Sequence, residues 1–369
     1  MHLLEYMPLR NPHARRVPSE DPIRILSIGG GTGLSTLLQG LKHYANPALS
    51  GTSASPVLQA LNRPVELTAV VTVTDDGGSS GRLRRDFDVL PPGDIRNCMV
   101  ALSEDAALLS KLFQYRFLSG HGLKGHSFGN LFLTALTQIT GDFAHAVKLS
   151  SEVLASAGRI FPSTAANVIL QAKLEDGSLV AGETHISKAK SRIQSIFLKP
   201  RRVHPLSETL EAIEQADLIT FGPGSLFTSV IPNLLVSGIP EAVAQSGAIK
   251  AYFCNLMWQP TETMHFSAVD HVAAIHKHAK RELIDCIVVN SKPVSAPHRR
   301  RYAAEQVQPV KVDIDALVAM GLRVIEEDLL ARSDKVRHDP HRAAAIAVRL
   351  AMVGRRRRLR AQSFKAAAV

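Results

Sequence analysis

The sequence predicts an α/β fold: a Rossmann-like, mainly parallel sheet flanked by helices, with a helical insertion and a β-hairpin excursion. Three observations carry this prediction. A short apolar run, 23–28, ends in Gly29, Gly30, Gly31, Thr32 and Gly33 and leads into leucines at helical spacing. The stretch 65–74, VELTAVVTVT, is β-branched and almost continuously apolar, as a strand covered on both faces of a parallel sheet would be. Later apolar runs at 217–225, 249–256 and 283–290 alternate with helical segments, and each ends in a polar or glycine turn.

The remaining elements follow in order. Residues 46–63, rich in Pro, Ser, Ala and Gly between two periodic segments, read as a surface insertion. From 91 to 157 apolar residues recur three and four apart, which predicts helices. VILQAKLEDGSLVAGETHI alternates on either side of Asp176 and Gly177, which predicts a hairpin and hence a mixed sheet. Residues 310–353 add a strand-like VKVDID, the segment LRVIEEDLL and a helix beginning near His338, Asp339 and Pro340. The organisation expected is a polar leader over 1–21, one Rossmann-like domain over 22–353 and a basic tail over 354–369.

Composition bounds the function. Of 369 residues 45% are hydrophobic and mean hydropathy is +0.04, enough for a full core and unlike a disordered or fibrous chain. No apolar run approaches the roughly 18–20 residues of a bilayer span, and the first residues lack a secretory apolar core, so the expected location is the cytoplasm. Cys98, Cys254 and Cys286 are an odd number at no metal-like spacing. The net charge of +10 would suit a nucleic-acid binder, but Arg355, Arg356, Arg357, Arg358, Arg360 and Lys365 concentrate it at the end of the chain. That run reads as a solvated tail, with no specific nucleic-acid recognition.

Several clusters can carry chemistry. Gly29–Gly33 presents backbone N–H groups at a helix N-terminus, where positive partial charge accumulates, and so forms a phosphate cradle. It is not a Walker A loop, because no Lys follows, and it lacks the third glycine of the dinucleotide fingerprint. Asp75 and Asp76 end the second strand beside Gly77, Gly78, Ser79 and Ser80. An acid at that sheet edge can bind a ribose or sugar hydroxyl, hold Mg²⁺ beside phosphates, or simply form an Asx turn. Arg82, Arg84 and Arg85 follow at once. Gly222, Pro223, Gly224 and Ser225 repeat the strand–turn–helix design and imply a diphosphate, or a ligand with two polar ends, between the loops.

Asp94, Arg96 and Asn97 in PPGDIRN, and His126, Ser127 and Asn130 in GHSFGN, form polar clusters just before apolar helices. Helix capping accounts for Asp94 and Ser127, while Asn97 and Asn130 join the loops as candidate ligand-binding residues. His126 has no local nucleophile partner. His265, His271, His276 and His278 are not spaced to align on one helix face, which argues against zinc.

These motifs, ILSIGGGTGLSTLLQGLK, TAVVTVTDDGGSSGRLR, PPGDIRNCMVAL, GHSFGNLFLTAL, ITFGPGSLFTSVIPNLLV and YFCNLMWQPTET, resemble in their order the gluconeogenesis factor family (YvcK-like). That family lies in the superfamily of the phospholactate transferase of coenzyme F420 biosynthesis, and the match runs from about residue 23 to 350. The resemblance implies a cytoplasmic bacterial protein that binds UDP-sugars, UDP-N-acetylglucosamine in particular, and supports cell shape and wall-precursor supply during gluconeogenic growth. It also implies contacts from Phe266, where relatives often carry Tyr, and from Arg301, with Arg299 and Arg300 adjacent. Trp258 stands where a small polar residue is expected.

Two functions compete. In the first, the chain is a regulator whose loops 29–33 and 222–225 hold a diphosphate and whose Asp75 and Asp76 hold hydroxyls, with occupancy changing affinity for a metabolic or wall-synthesis enzyme. In the second, Asp75 or Asp76 holds Mg²⁺ and the chain transfers a phosphate-containing or uridylyl group. A nicotinamide-dependent oxidoreductase fits less well. No cofactor is firmly implied, and a homo-oligomer is expected.

Overall fold

The computed structural model describes residues 21–46, 63–103 and 108–367. The leader except Asp21, and nearly all of the 46–63 insertion, lie outside them. Strands in chain order are β1 (Ile23–Gly29), β2 (Val65–Val71), β3 (Arg159–Pro162), β4 (Ile169–Leu174), β5 (Leu179–Ala181), β6 (Ile193–Lys199), β7 (Leu218–Phe221), β8 (Ile249–Phe253), β9 (Cys286–Asn290) and β10 (Arg323–Glu327). Seven of them form one sheet in the order β10-β9-β8-β7-β1-β2-β3, and every neighbouring pair is parallel. β7 and β8 are buried at every residue and β1 at all but Arg24, as helices on both faces require.

The hairpin forms as predicted around Asp176 and Gly177, but it does not join the parallel sheet. β4 pairs antiparallel with β5 and with β6 in a separate three-stranded sheet, which corrects the expectation of one mixed sheet. The reason lies in β4 itself. Leu170, Ala172 and Leu174 are buried while Ile169 and Lys173 are exposed, a one-faced pattern that suits a sheet covered on one side only. VKVDID likewise does not become a strand. Pro309 and Lys311 make isolated bridges to Met257 and Ser267, and Asp313 Oδ1 then accepts from the Ala316 N–H at 3.0 Å to cap the helix Ile314–Ala319.

Between β2 and β3 the chain is helical, at Gly78–Phe87 and then, as the 91–157 periodicity predicts, at Gly93–Leu102, Leu108–Gln114, Phe128–Thr140 and Phe143–Val153. After β3 the chain returns through the small sheet to place β7 against the other side of β1, and β8 to β10 then continue outward. The strand order therefore reverses between β1 and β7. Loops leaving their carboxyl ends diverge, which opens a crevice at that point.

The helix Pro340–Ala367 covers one face of the sheet and packs against the helix Gly31–Ala45. The two approach so closely that a Cβ on Gly40 would lie 1.9 Å from the Pro340 carbonyl oxygen. The arginine run continues this helix, and the expectation of a solvated tail fails for two of its members. Arg358 Nε donates to Asp217 Oδ1 at 2.9 Å, and the Arg355 side chain, 6% exposed, lies 3.8 Å from Asp217 Oδ2 and pairs with Asp21. Asp217 is fully buried and also accepts from the Arg24 N–H at 2.9 Å. Helical periodicity turns these two arginines toward the sheet, while Arg356, Arg357 and Arg360 remain exposed.

Among the described residues no single helix is long and apolar enough to cross a membrane. The bent pair Leu226–Leu234 and Ile239–Gln245 has the composition for it but contributes much of its apolar surface to the core.

Candidate functional site: the crevice between two glycine loops

A cleft of about 340 Å³ opens at the reversal point, between Gly30–Gly33 after β1 and Pro223–Ser225 after β7. Two glycines shape it. Gly31 has φ +61°, a left-handed conformation that side chains disfavour. Gly33 lets the loops touch, since a Cβ there would lie 2.4 Å from the Pro223 carbonyl oxygen and 2.6 Å from Gly224 Cα. Behind the loops, Asn233 Nδ2 donates to the Gly29 and Ser229 carbonyls at 3.2 and 2.8 Å. Gln259 braces the second loop: its Nε2 donates to Ser225 Oγ, and its Oε1 accepts from the Leu226 N–H at 3.3 Å and from Asn255 Nδ2 at 3.2 Å.

Two carboxyl groups face the same space. Asp94 accepts a hydrogen bond from the Gly31 N–H, yet burial, reinforced by Asp75, pushes its pKa up to about 7. Glu183 is raised to about 9 by burial first and then by Asp94, Asp75, Glu262 and Asp76. Just behind, buried Glu262 is raised to about 7 by burial, although Ser187 and Thr228 donate to its Oε1 at 3.2 and 3.5 Å. The opposite wall is built by Val336, Arg337 and His338. His338 Nε2 donates to the Cys254 carbonyl at 3.1 Å, and burial pulls its pKa down to about 4, so the ring is neutral near pH 7.

The acid group gives a signed pH dependence. Each of these folded-state pKa values lies above the unfolded one, so the folded chain binds more protons and stability falls as pH rises from about 4 toward 7 to 9. Buried histidines, with lowered pKa values, act in the opposite sense below pH 6.5. Glu183→Gln isolates the carboxyl contribution. Denaturation of both proteins from pH 4 to 9 should show the variant gaining on wild type steadily as pH rises; a constant difference would mean that folding does not shift the Glu183 pKa.

The structure brings together Gly30, Gly31, Thr32, Gly33, Pro223, Gly224 and Ser225 around the cleft. Asn97 lines an adjoining pocket. Asp75, Asp76 and the residues 77–80 do not line the cleft. Asp75 Oδ1 accepts from the Gly77 N–H at 2.8 Å in an Asx turn, and Asp76 Oδ1 holds the Thr184 N–H and hydroxyl at 2.9 and 2.7 Å. Ser79, His126 and Asn130 form one buried chain: Ser79 Oγ lies 2.9 Å from His126 Nδ1 and accepts from Asn130 Nδ2 at 3.2 Å. Ser127 caps its helix as expected, whereas Asp94 reaches Gly31 and is no helix cap.

Phe266 packs edge-on against Phe227 at 6.0 Å, and its carbonyl accepts from Trp258 Nε1 at 3.0 Å. Arg301 donates to the Asp334 carbonyl, and the next residue, Tyr302, accepts from the Val336 N–H at 3.2 Å. The two therefore anchor the segment that carries Arg337 and His338. His278 is spent on backbone, donating from Nδ1 to the Ala274 carbonyl at 2.7 Å and accepting at Nε2 from the Ile196 N–H at 3.0 Å.

Residues that sequence reasoning did not assign to the site include Glu183, Ser229, Asn255, Trp258, Gln259, Arg337 and His338. Asn255, Trp258 and Gln259 fall in a quoted motif, YFCNLMWQPTET, which follows a buried strand and marked the segment. Glu183 and Arg337 sit in stretches with no local signal.

The family model described as 2-phospho-L-lactate transferase CofD matches residues 25–330. The gluconeogenesis factor of Bacillus subtilis (strain 168) is 48% identical over 328 residues, covering 89% of this chain and 98% of that protein. The gluconeogenesis factor of Halalkalibacterium halodurans is 47% identical over 316 residues, covering 85% and 92%. A crystal structure of a protein from Bacillus halodurans superposes with a TM-score of 0.80 at 46% identity, covering 88% of this chain and 98% of that one. With its parallel sheet, switch-point crevice and near-complete alignment to these proteins, the chain belongs to the CofD family and, within it, to the gluconeogenesis factors.

Proposed function

We propose that this protein is a cytoplasmic regulator that binds a nucleotide sugar, UDP-N-acetylglucosamine, and links its occupancy to cell shape and wall-precursor supply during gluconeogenic growth. The observation that carries this reading is the pair of glycine loops in contact at the point where strand order reverses. Their backbone N–H groups suit a diphosphate. Trp258 offers an aromatic face, and Asn255 and Gln259 offer amides, for the sugar or base. Asp75 and Asp76 use Oδ1 to hold the Gly77 N–H and Thr184, and their charge acts on the cleft carboxyls Asp94 and Glu183.

One observation favours a second reading, a Mg²⁺-dependent transferase of a phosphate-containing or uridylyl group. Asp94 and Glu183 face the space that the diphosphate would occupy, and their oxygens fit Mg²⁺, which takes one or two carboxylates beside substrate phosphates. Bound there, the ion would neutralise charge on the phosphates. The residues present would bind and orient the ligand, and the carboxyls would keep their protons when no cation is near.

Calorimetry with UDP-N-acetylglucosamine should show micromolar binding, about −8 kcal/mol. In EDTA the affinity should fall between pH 6 and 9 as Asp94 and Glu183 ionise against the diphosphate, and Mg²⁺ should restore it. Saturable binding without turnover of UTP and N-acetylglucosamine 1-phosphate supports the regulator. Product formation selects the transferase, and no heat at millimolar ligand rejects the nucleotide sugar.

A further inference from the structure

Next to the main cleft lies a smaller polar pocket of about 270 Å³, between the helices Gly31–Ala45 and Gly93–Leu102. Thr32, Thr36 and Arg337 line both spaces, so the two adjoin at the first turn of the glycine-loop helix. Arg96 and Arg337 both line the smaller one.

Arg96 is half-buried. Its Nε donates to Asn130 Oδ1 at 3.3 Å, and its terminal nitrogens make no hydrogen bond among the described residues. No carboxylate among the described residues forms an ion pair with it. Asp94 and Asp75 favour its charge from a distance, while Arg116 opposes it. Burial lowers its pKa, the signature of a cation short of solvent. Arg337 is exposed and likewise has no ion-pair or hydrogen-bond partner for its side chain among the described residues. Two guanidiniums on one small pocket, one of them partly desolvated and both lacking a counter-ion, are matched by an anion with several acceptor oxygens.

We infer that this pocket is a second anion-binding site, taking a small phosphorylated metabolite with a short polar remainder. Arg96 and Arg337 supply the charge. Ser35, Gln39, Asn97 and Gln114 supply neutral hydrogen bonds to the remainder. This site stands whether or not the main cleft takes a nucleotide sugar.

The test is calorimetry with inorganic phosphate on four proteins: wild type, Val100→Trp, Arg96→Gln and Gly31→Val. Val100 lines only the smaller pocket, and an indole there fills it. Arg96→Gln removes the charge but keeps a donor. Gly31→Val blocks the main cleft. Phosphate should bind wild type and Gly31→Val alike, and at least about ten-fold more weakly to the other two. UDP-N-acetylglucosamine binding, if present, should survive Val100→Trp. Phosphate binding that is lost in Gly31→Val but retained in Val100→Trp and Arg96→Gln would place the anion in the main cleft and overturn the inference, as would no saturable phosphate binding to wild type. Should Val100→Trp fail to unfold cooperatively, Arg96→Gln decides alone.

Discussion

Asp217→Ala should cost about 3–5 kcal/mol of stability, because it leaves buried positive charge without its partner. Asp217 is fully buried and gathers partners from distant parts of the chain: hydrogen bonds from the Arg24 N–H at the start of β1 and from the Arg358 guanidinium near the end of the last helix, and an ion pair with Arg355 at 3.8 Å. Without the carboxylate, Arg355 retains Asp21 and the Pro22 carbonyl, so the loss should fall toward the lower end of that range. Arg358 retains no other acid among the described residues. Truncation after Gly354 should also destabilise, because it strands Asp217 in the same way from the other side. Denaturant unfolding of both variants measures this. An Asp217→Ala midpoint equal to that of wild type would mean that the helix end does not dock.

Gly33→Ala should weaken nucleotide-sugar binding by about 100-fold while leaving a cooperatively folded protein. The added methyl would sit 2.4 Å from the Pro223 carbonyl oxygen and 2.6 Å from Gly224 Cα, and both are backbone atoms that cannot rotate away. The two loops must separate, and donors positioned for one diphosphate then no longer converge. Overpacking should also cost about 1–3 kcal/mol of stability. Affinity by calorimetry and unfolding by denaturant separate the two effects. Unchanged affinity in the folded variant would show that the loops need not touch for the ligand to bind.

The glycine loops were legible because their signal is local: an apolar strand, small residues, then a helix period within a few positions. Asp75 and Asp76 looked equally persuasive on that basis, beside glycines and serines at a strand end. In the fold one closes an Asx turn and the other fastens Thr184, in the short helix Glu183–Ile186 between β5 and β6, 108 residues away. Local sequence showed that these carboxylates sit at the right edge. It did not show that one oxygen of each is already bound within the fold.

By itself the sequence determined most element types, the mainly parallel character of the sheet and the two glycine loops at strand ends, since each follows from period, β-branching or the absence of a Cβ within a short window. Tertiary structure alone decided which elements meet. The reversal of strand order between β1 and β7 turned two separate loops into one cleft. Return of the chain through the small sheet placed Glu183 beside Asp94, and burial raised both pKa values. Docking of the last helix converted two residues of an arginine run into partners of a buried aspartate. Contacts of this kind depend on where distant segments land and on how much water they exclude, and a window of neighbouring residues encodes neither.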